Sequence, residues 1–539
     1  MKEIIKKQLD GVIKKEFNLK SFDYSIESQE KEGFGDYSSN IAFLLAKELK
    51  KSPREIAEVI VSKISNKKNQ EISKMEIAGG GFINFFLSHD NYLKELNIIL
   101  RDKSKYGSNN SGKNKKIQVE FISSNPTGPM TLGNGRGGFS GDTLSNILTK
   151  NGFNTKREFY VNDAGNQVKN ILSKSIHKTL DLDFSLVEGE DVYGGDYISF
   201  VARKIKKQKG IDWIKNNFEK TGEMGAKIIL EEFIKKDVKS LGIKFDRWFS
   251  EKSLYSEKLI DKMWKYIKAK NLIYENEGAY WLKTSKYGDE KDRVVRTSDG
   301  NFTYLMSDMA YAYERLSIRK FEKIIMFLGA DHHGYVGRLK AIAEMLGHKD
   351  KIEPIIFQIV RLISNGQEVR MSKRKGTFIT LKDAAEDLGL DAARYFFISK
   401  DFNNHIDIDL GIAKSQSNQN PIFYIQYASA RISSVLEKVK KQASKKSDKE
   451  NIEFDKYELS LIKKISQYPS LIKDLGNTYQ AHRLAFYSWE LAESFHKFYD
   501  NCRVIDDERE DFRLKIIKAA KIVLEDSLNL MGIKAKKKM

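Results

Sequence analysis

I-Q-V-E-F-I-S-S-N-P-T-G-P-M-T-L-G-N-G-R-G-G, Ile117 to Gly138, reads as a strand that enters a tight loop and leaves it as a helix. Ile117, Val119 and Phe121 alternate with Gln118 and Glu120, the period of a strand. Asn125, Pro126, Thr127, Gly128 and Pro129 then force a sharp path. Gly133, Gly135, Gly137 and Gly138 let backbone approach a ligand at the start of a helix. A helix N-terminus offers unpaired N–H groups and the positive end of a dipole, which suits a triphosphate. A tight structural turn needs the same glycines, so the loop alone leaves both readings open. The helix is expected to stop at Asn151-Gly152.

The same grammar returns at K-I-I-M-F-L followed by G-A-D-H-H-G, Gly329 to Gly334, and a helix carrying Val336, Leu339, Ile342 and Leu346. Two strand–loop–helix units predict an α/β domain with a mostly parallel sheet and ligands at the carboxyl ends of its strands. Between them, the charged stretch Ser173 to Asp299 reads as a mainly helical insertion. Before them, residues 1 to 105 form a first unit. It has a polar helix start, an amphipathic helix with Ile41, Leu44, Leu45 and Leu49, a helix after Ser52-Pro53, and a glycine turn entering a strand over Ala78 to Leu87. The Gly-, Ser-, Asn- and Lys-rich stretch Ser104 to Lys116 is expected to be a linker. The α/β domain then spans 106–390, and the helical remainder spans 391–539.

The chain has 539 residues, enough for three or four domains of about 150 residues. A single cysteine, Cys502, excludes a disulfide framework and a Cys-based zinc site. No apolar signal core or membrane-length run is present, so a soluble cytoplasmic protein with no membrane partner is expected. The formal net charge of +19 points to a polyanion such as nucleic acid, although a lysine-rich proteome would produce it too.

Three further stretches carry chemistry. R-M-S-K-R-K-G, Arg370 to Gly376, follows an Asn365-Gly366 hairpin turn and presents Arg370, Lys373, Arg374 and Lys375. Cations on such a loop neutralise a leaving pyrophosphate, or are simply solvated. In T-Y-L-M-S-D-M-A-Y, Tyr304, Asp308 and Tyr311 share one helix face. A carboxylate and two rings make a receptor for a guanidinium, or an ordinary half-buried face. In Q-N-P-I-F-Y-I-Q-Y-A-S-A-R-I, Tyr424, Tyr427 and Arg431 offer stacking surfaces and a cation for single-stranded bases, or pack helix on helix. Asp331-His332-His333 invites a metal reading, but adjacent histidines point apart and no further ligand supports one, so no protein metal site is expected.

Together, S-S-N-P-T-G-P-M-T-L-G-N-G-R-G-G and R-M-S-K-R-K-G resemble the two ATP signatures of a class I aminoacyl-tRNA synthetase. The T-Y-x-x-x-D-x-A-Y string, D-A-A-R-Y (Asp391 to Tyr395) and G-G-G-F-I-N-F-F narrow the resemblance to the arginyl-tRNA synthetases, over nearly the whole chain. The resemblance implies a Rossmann-like catalytic domain, an α+β N-terminal domain that touches the tRNA elbow, and an all-α anticodon-binding domain. It implies ATP contacts at Pro126, Thr127, Gly128, Gly133, Gly135, Gly329, Asp331, His332, Met371 and Ser372. It places arginine among Glu120, Ser123, Asn125, Tyr304, Asp308 and Tyr311. For tRNA it implies Phe82, Asn84, Tyr424, Tyr427, Arg431 and the chain end Met539.

Catalysis would fall to Lys373 and Arg370, the latter standing where the family has lysine, with Thr131 and Asn134. Those last two replace the family's paired histidines. Each can donate a hydrogen bond, but neither can carry a proton charge near neutral pH. The implied reaction is ligation of L-arginine to tRNA-Arg through arginyl-adenylate, with ATP and Mg²⁺, by a monomer that needs tRNA for the first step. The altered signature keeps one alternative open, a catalytically impaired tRNA-binding or regulatory relative. A synthetase for another amino acid is disfavoured, because a neutral side chain would leave Asp308 and Glu120 unpaired.

Overall fold

The protein is described from a computed structural model over residues 1–19, 22–29, 33–65, 71–182, 192–369, 379–439 and 453–539. Arg370, Met371, Ser372 and Lys373 lie outside the described residues. The central sheet has five parallel strands: β1 (Lys116–Glu120), β2 (Asn154–Val161), β3 (Arg247–Ser250), β4 (Lys323–Gly329) and β5 (Ile352–Phe357), in the order β5-β4-β1-β2-β3. Strand β1 sits in the middle. The chain leaves it to one side for β2 and arrives on the other with β4, so the crevice at its carboxyl end is a topological switch point, the expected ligand position.

A central parallel strand is covered on both faces. Hence Gln118 and Glu120 are buried as fully as their apolar neighbours, despite the polar alternation. Glu120 is therefore not a solvated strand residue. Helix α1 (Leu132–Lys150) follows the loop and ends at Asn151, with Gly152 at φ +81°, as the sequence predicts. The Ser104–Lys116 stretch is not a free linker. Its backbone closes the end of α1, Asn109 N–H donating to Lys150 O (3.1 Å) and Gly112 N–H to Asn151 O (2.9 Å), and Tyr106 is buried. The orphan carbonyls of a helix C-terminus supply the acceptors that order this polar segment.

The Ser173–Asp299 region is only partly the helical insertion expected. It contributes β3 to the main sheet and carries a three-stranded antiparallel sheet, Ile273–Asn276, Ala279–Leu282 and Arg293–Arg296. These strands are four residues long and their aromatic residues lie among charged ones, so the charge pattern hid them.

The N-terminal unit packs the helices Lys2–Glu16, Ile41–Leu49 and Pro53–Ser65 on a four-stranded antiparallel sheet. Its Asp36 accepts from Leu87 N–H and pairs with Lys463 of the C-terminal helices at 2.5 Å. Those helices include Leu390–Ile398, Pro421–Val439, His482–Asn501 and Glu510–Leu530. Within D-A-A-R-Y, Arg394 donates to Asp142 Oδ2 on α1, to Met531 O after the last helix, and to Leu241 O of the insertion. Asp391 accepts from Lys534 N–H and from Gln426 Nε2. The motif is thus a junction of three parts of the chain. Among the described residues no helix is long and apolar enough to cross a membrane.

Candidate active site and RNA-facing surfaces

The loop after β1 turns through two residues of positive φ, Ile122 (+68°) and Ser123 (+41°). A β-branched residue there is strained, and such strain persists only where the surroundings impose it. The turn aims the Ser123 hydroxyl at Glu120 Oε1 (3.3 Å), while its oxygen accepts from Tyr160 N–H (3.1 Å). Asn125 stays exposed and donates to Gln167 Oε1 (2.7 Å). Tyr197 of the insertion fastens the next step, its hydroxyl donating to Thr127 O (3.1 Å) and standing where a Cβ on Gly128 would reach.

Thr131 and Asn134 form the N-terminal cap of α1. Asn134 Oδ1 accepts from Thr131 N–H (2.9 Å) and from its hydroxyl (3.2 Å). The amide oxygen is therefore committed to the cap, and the amide NH₂ remains as the donor side. The glycines divide by what surrounds them. A Cβ on Gly133 would meet open space, with Thr131 Oγ1 at 3.8 Å the nearest atom. A Cβ on Gly135 would lie 2.5 Å from Leu381 and 2.6 Å from Phe397, and on Gly137 3.0 Å from Phe357. One on Gly138 would meet Ile122 at 3.1 Å. So Gly135, Gly137 and Gly138 bring helix and core together, a packing role that the sequence reading did not assign them. Arg136 anchors this turn, its buried guanidinium donating to Gln358 O, Asp401 O and Asn404 O at 2.7–2.8 Å.

The hairpin before the second motif forms as the sequence predicts. Ser364 pairs with Gln367, and Asn365 (φ +51°) and Gly366 (φ +75°) make the turn. Beyond residue 378 the chain docks on the first motif, Thr380 pairing with Thr131 and Leu381 N–H donating to Met130 O at 2.9 Å. The chain from Thr380 onward, which follows the second motif, is thereby fixed beside the signature. Across the crevice, Gly329 ends β4, and Asp331, His332 and His333 are exposed on a short 3₁₀ turn.

The Tyr304–Tyr313 helix delivers its shared face at graded depth. Tyr304 is 56% exposed at the first turn, Asp308 is half-buried, and Tyr311 is buried. Asp308 Oδ2 is enclosed and has no hydrogen-bond partner. Burial, only partly offset by Arg338 and Arg315, pushes its carboxyl up to about 7. Tyr311 does not offer its ring to a ligand. Its hydroxyl donates to Glu158 Oε1 (2.7 Å), and the guanidinium of Arg315 lies 3.7 Å from its ring centre. Glu120 is likewise taken, with Arg315 Nη1 at 2.6 Å from Oε2. Its burial raises the carboxyl pKa, and Arg315 acts against that. Arg315 escaped the sequence reading, although 304, 308, 311 and 315 continue one helical face. A cleft of about 720 Å³ opens beside Pro126, lined by Asp163, Lys209, Trp213, Lys220 and Lys252.

On the C-terminal helices, Tyr424, Tyr427 and Arg431 are half-buried and share a cluster with His496. The Tyr424 ring is 4.5 Å from His496, and Arg431 lies over Tyr427 (4.6 Å) and Tyr499 (4.8 Å). His496 and Tyr499 were not singled out from sequence, though Trp489 and His496, seven residues apart on the His482–Asn501 helix, gave a usable signal. Met539 is exposed. In the N-terminal sheet Phe82 is exposed and touches Phe43 (4.8 Å between rings), whereas Asn84 is buried between its neighbour strands. Asn84 therefore shapes the strand under Phe82 and does not itself present a contact surface. Asn84 lies on the same face as Phe82, two residues away, in a strand paired on both sides.

Three family models match in order: the arginyl tRNA synthetase N terminal domain over 1–87, the catalytic domain of class I (R) tRNA synthetases over 95–410, and the DALR anticodon binding domain over 425–539. The chain is similar to arginine–tRNA ligase 1 of Halalkalibacterium halodurans, 41% identical over 527 residues, covering 95% of this chain and 94% of that one. It is 38% identical to arginine–tRNA ligase of Bacillus subtilis, over 100% of this chain and 99% of the relative. Among solved structures, a putative arginyl-tRNA synthetase from Campylobacter jejuni superposes with a TM-score of 0.76 at 31% identity, covering 84% of this chain and 100% of that one. The Thermus thermophilus arginyl-tRNA synthetase shares the fold with a TM-score of 0.79 at 19% identity, covering 100% of both chains. From its N-terminal sheet through its class I catalytic core to its helical C-terminal domain, the chain belongs to the arginyl-tRNA synthetases.

Proposed function

We propose that the crevice at the carboxyl ends of β1 and β4 is where this arginine–tRNA ligase joins arginine, ATP and tRNA-Arg, and that Asp308 holds the substrate guanidinium. One observation carries the assignment: the enclosed, partnerless Oδ2 of Asp308, beside the open ring of Tyr304 and at the fold's switch point. A buried acceptor without a donor is costly, and an arginine substrate supplies a donor and a charge together. Tyr304 covers the flat face of the guanidinium.

The arginine carboxylate attacks the α-phosphorus of ATP. The bond to the bridging oxygen breaks, pyrophosphate leaves, and arginyl-adenylate forms; a Mg²⁺ ion brought with ATP would neutralise phosphate charge. A terminal ribose hydroxyl of tRNA then attacks the carbonyl carbon and AMP departs. Positioning and electrostatics govern both steps. Pro126, Thr127, Gly128 and Gly133 line the ATP side of the loop, facing Gly329, Asp331 and His332. Asn134 offers its amide hydrogens, with Thr131 holding it in place. Ser123 and Asn125 border the amino-acid end. Arg370 and Lys373 bring cations for the phosphates, and Met371 and Ser372 between them contact ATP. Tyr424, Tyr427 and Arg431 receive anticodon bases with Met539 nearby, Phe82 meets the elbow, and the lysine-lined cleft beside Pro126 admits the acceptor end. The enzyme works as a cytoplasmic monomer.

The test is charging of purified tRNA-Arg with labelled arginine, ATP and Mg²⁺, with a Thr131→His/Asn134→His variant alongside. Robust charging by the native chain, little changed in the variant, is expected. Charging that appears only in the variant would overturn the assignment of Thr131 and Asn134.

A further inference from the structure

In the aromatic cluster of the C-terminal helices, one histidine touches each of the three residues assigned to the anticodon. His496 is buried. Its ring lies 4.5 Å from that of Tyr424 and 5.6 Å from that of Tyr427, centre to centre. Its Nε2 stands 3.3 Å from Tyr424 O, and its Nδ1 stands 3.4 Å from Arg431 Nη1. These partners fix the tautomer. A carbonyl oxygen only accepts and a guanidinium only donates, so Nε2 carries the hydrogen and Nδ1 accepts. Both contacts require a neutral ring. Burial and the Arg431 charge lower its pKa, against the opposing effects of Tyr424 O and Asp500.

Arg431 is fastened at one corner only. Its guanidinium lies over the rings of Tyr427 and Tyr499. Nη1 has two hydrogens, and its two partners are His496 Nδ1 and Asp500 Oδ1, each at 3.4 Å. The Asp500 side chain is 63% exposed, so that ion pair is weak and screened. Among the described residues no hydrogen-bond partner meets Nε or Nη2. Those two atoms form the fork edge of a guanidinium, whose parallel donors match two adjacent acceptors on the Watson–Crick or Hoogsteen edge of an unstacked loop base. A long side chain held by an exposed carboxylate alone would sample many rotamers. His496, on a neighbouring helix and buried, supplies a fixed point.

We infer that His496 is a positioning residue for anticodon recognition: by accepting from Nη1 of Arg431 it turns the Nε–Nη2 edge toward the RNA, where that edge reads one base through two hydrogen bonds. This rests on the assignment of Tyr424, Tyr427 and Arg431 to the anticodon above. Without the Nδ1 acceptor, the guanidinium keeps its charge and its tyrosine neighbours. Its fork loses a fixed direction, so affinity and base choice fall together.

Equilibrium binding of the full chain to two tRNA-Arg transcripts, one native and one with its anticodon bases replaced, tests it. His496→Phe keeps a ring and offers no acceptor, whereas His496→Asn places its amide oxygen where Nδ1 stands. Neither keeps the Nε2 contact, so the acceptor separates them. In His496→Phe the affinity for the native transcript should fall by at least about tenfold, the scale of one hydrogen bond to a charged group. The penalty for the replaced anticodon should shrink toward that of Arg431→Ala, which a purely structural role would not cause. His496→Asn should stay within about threefold of the native chain in both respects. In an Arg431→Ala background the two substitutions should bind alike within about threefold, since no guanidinium remains to be held. A smaller loss or an unchanged penalty in His496→Phe overturns the inference. So does an Asn variant outside threefold, or a difference between the two that persists without Arg431. Should His496→Phe fail to fold, His496→Ala against His496→Asn makes the same comparison with the same thresholds. Equal affinity of the native chain for both transcripts, or native affinity in Arg431→Ala, sinks the anticodon assignment itself, whereas Arg431-dependent binding with an indifferent His496 sinks only this inference.

Discussion

The two ends of the active-site crevice treat their polar groups in opposite ways. At the signature end, groups that the sequence offers to a ligand are largely spent on the fold. Thr131 and the Asn134 oxygen cap α1, and Gly135, Gly137 and Gly138 press against Leu381, Phe397, Phe357 and Ile122. At the arginine end, one carboxylate is saturated by Arg315 and the other keeps an oxygen with no partner. Saturated groups mark scaffolding, and unsatisfied buried ones mark where a ligand completes the structure. The unmet demand for a donor therefore falls on a single residue, Asp308, while the signature loop is held by its own cap and by packing.

The largest effect follows at Asp308. Asp308→Asn should lower kcat/KM for arginine by about a thousandfold, the scale of removing one partner from a buried charge pair, with ATP KM nearly unchanged. A loss below tenfold in steady-state charging would erase the contrast. Next is Lys373→Ala. If the signature end supplies no cation, kcat should fall by about a hundredfold with little change in tRNA affinity, the scale of losing one preorganised stabilising group. Rapid-quench charging with a filter-binding control reads both.

A pH profile sharpens the same comparison. The Asp308 carboxyl lies near 7 in the free enzyme because burial disfavours its charge. Only the ionised form can pair with a guanidinium, so the protonated form must lose its proton on binding. Arginine KM should therefore climb as pH falls below about 7, by up to about tenfold per unit, and level off above it. The ATP KM should not follow. In Asp308→Asn the dependence should vanish.

The smallest effects separate the glycines. Gly135→Ala forces a methyl into Leu381 and Phe397 and should cost about 1–3 kcal/mol of stability. Gly133→Ala enters open space in the first turn of α1 and should leave the melting temperature unchanged or slightly raised, while ATP KM rises. Calorimetry alongside ATP titrations distinguishes the two. A thermally silent Gly135→Ala would show that the glycines are interchangeable after all.

Much of this was legible in the sequence. Local chemistry specified the strand–loop–helix units, the Asn151-Gly152 stop, the Asn365-Gly366 hairpin and the one-faced Tyr304, Asp308 and Tyr311, because each depends on residues a few positions apart. The family itself was legible for the same reason, since its motifs are contiguous strings. Three-dimensional packing decided the rest. Glu120 looked like the polar side of an alternating strand, yet a central parallel strand has no solvent side. The Ser104–Lys116 segment looked loose until the carbonyl end of α1 gave it partners. Four glycines in one string looked alike, and residues more than 200 positions away, Phe357, Leu381 and Phe397, told Gly135 and Gly137 from Gly133, while Ile122 packs on Gly138. Which carboxylate finds a partner within the chain was decided by Arg315, 195 residues from Glu120 along the chain and 2.6 Å from it in space. Sequence determines which groups a chain owns and what nearby neighbours make of them; burial and long-range pairing, which sequence spacing does not record, determine which of those groups remain available.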